Sequence, residues 1–132
     1  MLTKNFSLSE FQSRDGSTTP DSVILNIQKL ANNLQIIRDA INAPITINSG
    51  YRSPTHNKNI GGVSNSQHVL GKAADITAKG YSSSELHEII LDLIKQGKII
   101  NGGVGLYDGF VHYDVRDYSA RWSFLTEKKN LN

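Results

Sequence analysis

A chain of 132 residues can bury one sizeable core but not two, so a single domain spanning residues 1–132 is expected. Apolar residues make up 38% and charged residues 20%, with only three prolines, which argues against disorder and low complexity. The net charge of +2 is dispersed and only Lys128-Lys129 places two basic residues side by side, so the basic stripe of a nucleic-acid module is missing and no nucleic-acid partner is expected.

There is no cysteine, which excludes disulfides and every thiolate metal site; a transition metal would have to be held by His, Asp or Glu. The N-terminal MLTKNFSLSEF lacks an apolar run of signal-peptide length, and no segment has the length and apolarity to span a bilayer. The expectation is a soluble protein made in the cytoplasm, with no membrane partner, which something else must carry or release if it acts outside the cell.

In chain order, Ser7 with Glu10 forms a capping box over a short helical turn to Phe11, with Leu8 and Phe11 as inward anchors. Arg14 to Thr19 is polar and turn-rich. Thr19 then fits a helix cap and Pro20 the first helical position. Val23, Ile27, Leu30, Leu34, Ile37 and Ile41 recur at spacings of four and three, the signature of one helix face of roughly twenty residues. Ala43-Pro44 ends that helix. Ile45 to Ser49 alternates as a strand and delivers Gly50-Tyr51-Arg52 at its end.

Ser53-Pro54 opens a loop with one helical turn over Thr55 to Ile60. The Gly-, Ser- and Asn-rich stretch Gly61 to Gln67 is suited to folding closely over a site. Lys72 to Thr77 reads as a buried strand in which Ala73, Asp75 and Thr77 share a face. Ser82 and Glu85 form a second capping box, opening a helix to about Gln96 with Leu86, Ile89, Ile90, Leu93 and Ile94 inward and Gly97 as its stop. A glycine-rich strand ends at Tyr107, Asp108-Gly109 marks a hairpin, and Phe110 to Arg116 returns. A tail carrying Ala120-Arg121-Trp122 follows. The expected class is α+β, a small antiparallel sheet of about four strands with two main helices.

On the returning strand, alternation puts Val111, Tyr113 and Val115 on one face and His112, Asp114 and Arg116 on the other. Asp75 sits on a strand of small residues, where a carboxylate is costly unless paired or metal-bound. With His68, these residues offer two imidazoles and a carboxylate, a set that suits an open zinc site. Each also has a plainer explanation. His68 suits a loop, Asp75 could pair with Arg52 or Lys72, His112 could be a hydrogen-bonded core histidine, and Asp114 with Arg116 could be an ordinary ion pair. Spacing alone does not choose.

The run Ser66-x-His68-x-x-Gly71-x-Ala73-x-Asp75 resembles the signature of the zinc D-Ala-D-Ala carboxypeptidase family and its relatives. That superfamily also holds D-Ala-D-Ala dipeptidases, penicillin-insensitive murein endopeptidases, phage endolysins and the hedgehog signalling domain. Ser49-Gly50-Tyr51-Arg52, Gly102-Gly103-Val104-Gly105, Phe110-Val111-His112-x-Asp114 and Arg121-Trp122 are similar to its small single-domain branch and extend the match along nearly the whole chain.

The resemblance implies one Zn2+ per chain held by His68, Asp75 and His112, with Arg52 fixing the substrate through a carboxylate or carbonyl. It gives Ser66 a hydrogen bond to substrate or a part in orienting the loop. The implied substrates and partners are peptidoglycan stem or cross-link peptides containing D-amino acids, cut by a metal-activated water in a monomeric enzyme. A chain without wall-binding module suits an endolysin freed by phage-type release. Relatives carry a Glu three residues before the last ligand or a His two before it; here those positions are Gly109 and Phe110. Asp114 is then the best local candidate for the catalytic base, with orientation of a ligand or of Arg116 as its other reading. The missing base keeps open a non-catalytic zinc-stabilised module as the alternative, and a metal-free phage structural domain as a third. His87 is expected in solvent, His56 on a surface loop, and Tyr51, Tyr107 and Trp122 as cleft wall or packing.

Overall fold

The computed structural model describes residues 1–126, so the Lys128-Lys129 pair lies outside them. After a 3-10 turn at Leu8–Phe11 the elements run α1 (Asp21–Ile41), β1 (Ile45–Ser49), α2 (Pro54–Asn59), β2 (Ala73–Ala78), α3 (Ser83–Lys95), β3 (Gly103–Tyr107), β4 (Val111–Asp114) and β5 (Ala120–Phe124).

Both expected capping boxes form. Glu10 closes the first turn onto the Ser7 backbone, and Ser82 with Glu85 opens α3. Helix α1 begins one residue later than expected. Pro20 is its N-cap, in extended conformation, and Thr19 does not cap: its hydroxyl is buried without a partner among the described residues. Asn42, in the left-handed conformation, ends α1 by donating its N–H to the Arg38 carbonyl. Ile27, Leu30, Leu34, Ile37 and Ile41 are buried as the periodicity requires. Asn33 is buried among them because its side chain receives the Ile100 N–H at 2.8 Å, pinning the chain ahead of β3.

The sheet has five strands in the order β1-β2-β4-β3-β5. The first four pair antiparallel, and β5 lies parallel to β3. The expectation of about four antiparallel strands is therefore corrected to a mixed five-stranded sheet: the Ala120-Arg121-Trp122 tail is its outermost strand. The two long helices pack on one sheet face through Ile76, Val104, Val111 and Tyr113, all buried with Leu86, Ile90 and the α1 row. Pleating then dictates the other face. Register pairs Asp75 with His112, His112 with Gly105, and Gly105 with Trp122, which sets one row of side chains across four strands. A register shift between Ile47 and Ser49 brings Ser49 opposite Asp75, and the chain leaves β1 towards that same row.

Candidate metal centre

His68 comes from the loop before β2, Asp75 from β2 and His112 from β4. One ligand atom from each lies within 4.8 Å of the others, and all three residues are buried. His68 Nδ1 donates to the Gly50 carbonyl at 2.7 Å, since a carbonyl can only accept. That fixes the tautomer and turns the Nε2 lone pair towards Asp75 Oδ1, 3.2 Å away. His112 is held the opposite way round. Its Nε2 donates to Asp114 Oδ2 at 2.7 Å, and Nδ1 lies 3.0 Å from Asp75 Oδ1. Each ring is thus anchored from behind and offers its other nitrogen forward, the arrangement that metal-ligating histidines need. Two imidazoles and one carboxylate with no thiolate suit Zn2+, and these donors fit one ion per chain.

Asp114 is wholly buried, 0% exposed. Besides His112 it accepts from the Gly103 and Arg116 backbone N–H groups at 2.8 and 3.1 Å, and from the Arg116 side chain at 2.9 and 2.7 Å. Burial would raise the Asp114 pKa, but the bonds from His112 and Arg116 outweigh it and keep the carboxyl ionised well below the usual range. Burial likewise works to lower the His112 pKa, yet its bonds to Asp114 and Asp75 hold it above the ordinary histidine value. For Asp75, burial is overcome by the hydrogen bonds of His112 and His68, and its pKa is lowered.

The donors open into a cleft of about 580 Å³ lined on one side by the Ile60–Gln67 loop and on the other by Tyr107, Phe110, Arg116, Tyr118 and Trp122. Arg52 also lines it. Its guanidinium is braced by Ser49 Oγ at 3.2 Å, Asn57 Oδ1 at 3.2 Å and Asp75 Oδ2 at 3.4 Å. Burial lowers the Arg52 pKa against the pull of Asp75 and Tyr107, and an arginine so far above neutrality remains a cation. Ser66 lines the cleft, and its hydroxyl accepts the His68 N–H at 3.2 Å, which shapes the ligand loop. Asn57 is buried and donates to the Val63 carbonyl at 2.8 Å, tying α2 to that loop.

Residues 4–114 match the sequence profile of the peptidase M15 family. The chain belongs to that family. A 46-residue stretch, 34% of this chain, is 54% identical to the zinc D-Ala-D-Ala carboxypeptidase of Streptomyces albus G. The match covers 18% of that enzyme, so the chain corresponds to a fraction of its length. Membership of peptidase M15 agrees with the resemblance carried by the Ser66–Asp75 motif, and the converging donors supply the Zn2+ site that goes with it.

Other expectations sort by position. Tyr107 and Trp122 are in the cleft wall, while Tyr51 is buried in the core. His56 does not line the cleft. His87, expected in solvent, has only 17% of its side chain exposed, and burial lowers its pKa. The Gly50 carbonyl and Asn57 were not identifiable from sequence. A backbone acceptor leaves no residue-type signal, and an asparagine after a proline turn reads first as loop chemistry.

Proposed function

We propose that this peptidase M15 chain is a zinc-dependent hydrolase of amide bonds in peptidoglycan peptides that contain D-amino acids. The observation that carries this reading is the pair of imidazoles anchored from behind and converging on Asp75 at the floor of an open cleft that also holds a braced arginine. A structural zinc site is closed by four protein ligands, whereas three ligands facing a cleft leave room for water and substrate. When bound, Zn2+ supplies a Lewis acid for the scissile carbonyl and lowers the pKa of a coordinated water towards about 7. The substrate class is supported by the similarity to the Streptomyces enzyme, whose name specifies D-Ala-D-Ala.

The chain's own residues have separable tasks. Arg52 presents a fixed guanidinium that suits a peptide carboxylate or carbonyl. The Gly50 carbonyl and the Asp114 carboxylate hold the two rings in the tautomers that free a lone pair for metal. Ser66 shapes the loop through His68 and borders the substrate space. Of the two roles open to Asp114, orientation of His112 is favoured over proton abstraction, because both its oxygens are already engaged and it does not line the cleft.

Zinc analysis of purified protein, followed by mass spectrometry of fragments released from intact peptidoglycan, tests the proposal. About one zinc per chain and new peptide ends are expected, both lost in the His68→Ala, His112→Ala double variant. Bound zinc with no cleavage of any wall type tried would replace the hydrolase with a zinc-stabilised binding module.

A further inference from the structure

The site face of β3 carries Gly103, Gly105 and Tyr107, because pleating sends alternate residues to one side. A Cβ at Gly103 would overlap the Asp114 carboxylate, and one at Gly105 would overlap the Trp122 indole nitrogen. The two glycines therefore clear the face for the group behind His112 and for the indole against it. Tyr107 is the first residue of the strand to project a side chain there, and it lines the cleft.

Its phenol is held by three neighbours. The ring stacks on Phe110 at 4.4 Å between centroids and leans on Phe124 at 5.6 Å. Its oxygen accepts the Trp122 Nε1–H at 2.9 Å. That indole packs against the His112 ring at 5.0 Å, so one side chain links the phenol to a zinc ligand. Tyr107 and Arg52 line the same cleft. Indole N–H is a donor only, so the phenol oxygen accepts from it and keeps its own proton to give. Among the described residues that proton has no acceptor. A rigid, uncommitted O–H beside a metal centre is what an oxyanion-stabilising site requires.

We propose that Tyr107 is a catalytic hydrogen-bond donor, its hydroxyl binding the scissile carbonyl oxygen as that oxygen takes on negative charge. The proposal rests on the hydrolase reading above. It involves no proton transfer: the phenol keeps its proton and shares it with the substrate oxygen. It assigns a task to a residue outside the Ser66–Asp75 and Phe110–Asp114 motifs.

Tyr107→Phe keeps the stacking ring and deletes only the hydroxyl. The zinc-loaded full chain and this variant would be compared on a peptidoglycan-derived peptide. Their binding to two probes, a phosphinate analogue of D-Ala-D-Ala and the dipeptide D-Ala-D-Ala itself, would be measured by calorimetry. The expected result is unchanged zinc content, kcat lower by about 100- to 1,000-fold and KM within about threefold, by analogy with loss of one oxyanion donor. The tetrahedral phosphinate should bind at least about tenfold more weakly, with the planar dipeptide shifted less than about twofold. Equal kcat and equal phosphinate affinity in variant and wild type would overturn the tyrosine assignment and leave the hydrolase intact. Parallel loss of both probes together with zinc would also overturn it, since that marks a purely structural phenol. A wild-type protein that cleaves no peptidoglycan peptide would instead remove the hydrolase reading, and this proposal with it.

Discussion

Asp114 is buried behind His112 and bonded to its Nε2, out of the cleft lining. It lies two residues after His112 on the same strand face, and the strand ends as it pairs with the Arg116 guanidinium. A carboxylate buried to this degree stays charged only because five donors converge on it. Its influence then passes through the His112 ring, making Nδ1 a better-oriented and more basic ligand. Asp114→Asn should accordingly weaken zinc binding by about 10- to 100-fold in competition with a chromogenic chelator. At saturating zinc, kcat should largely return. Unchanged zinc affinity with kcat abolished would instead make Asp114 the base, the role suggested on sequence grounds by its place two residues after His112 with Gly109 and Phe110 at the positions where relatives carry a Glu or His.

At the scale of elements, β3 and β5 decide how closely the indole approaches the metal site. Trp122 occupies the space above Gly105, under the Arg116 guanidinium at 5.3 Å and against His112. Gly105→Ala forces that ring away, and overpacking of this kind costs about 1–3 kcal/mol. Trp122 is the chain's one tryptophan, so its emission reports the displacement directly. A red shift together with a lower urea midpoint is expected; an unmoved spectrum would mean that the strand yields instead of the indole. The same region marks the limit of what the residues reveal by themselves. α1, α3 and the β3–β4 hairpin were legible because their signals are local: a 3-4 periodicity, a capping box, an Asp-Gly turn. β5 carries no such signal. Only Ala120 and Trp122 on it are even partly buried, and it pairs in parallel with a strand fixed by distant contacts. Likewise, Thr19 carries the right chemistry for a cap, but the extended backbone at Pro20 takes that position. His112 and Asp114 were legible as a face, whereas Gly50 enters the site through its backbone carbonyl, and its missing side chain answers to the close Phe11 backbone, not to the site.

For the molecule as a whole, the helices stabilise one sheet face while the other is held by charge. The ligands come from three separated segments, so an ion bound to all of them exists only in the folded state and adds to its stability. At a free zinc concentration a hundredfold above Kd the gain is about 2.7 kcal/mol. For a chain of this size that is a rise in Tm of roughly 10 °C. Protons oppose it. In the zinc-free protein the His112 pKa is raised, so the cation's bonds to Asp114 and Asp75 contribute fully below the unfolded histidine value and fade as pH rises through the folded one. Asp75 and Asp114 have lowered pKa values, so their contribution is present above the unfolded carboxylate value and is lost as pH falls towards the folded one. The zinc-free protein should therefore be most stable in mildly acidic solution, between those limits. The zinc-bound protein requires His112 without its Nδ1 proton and should gain stability towards neutral and alkaline pH. Differential scanning calorimetry of both forms from pH 5 to pH 8 is expected to show the zinc-induced rise in Tm shrinking steadily as pH falls. The loss should begin above the range where an ordinary histidine titrates, because His112 holds its proton more tightly. A zinc increment that stays constant across that range would show that His112 is not among the ligands.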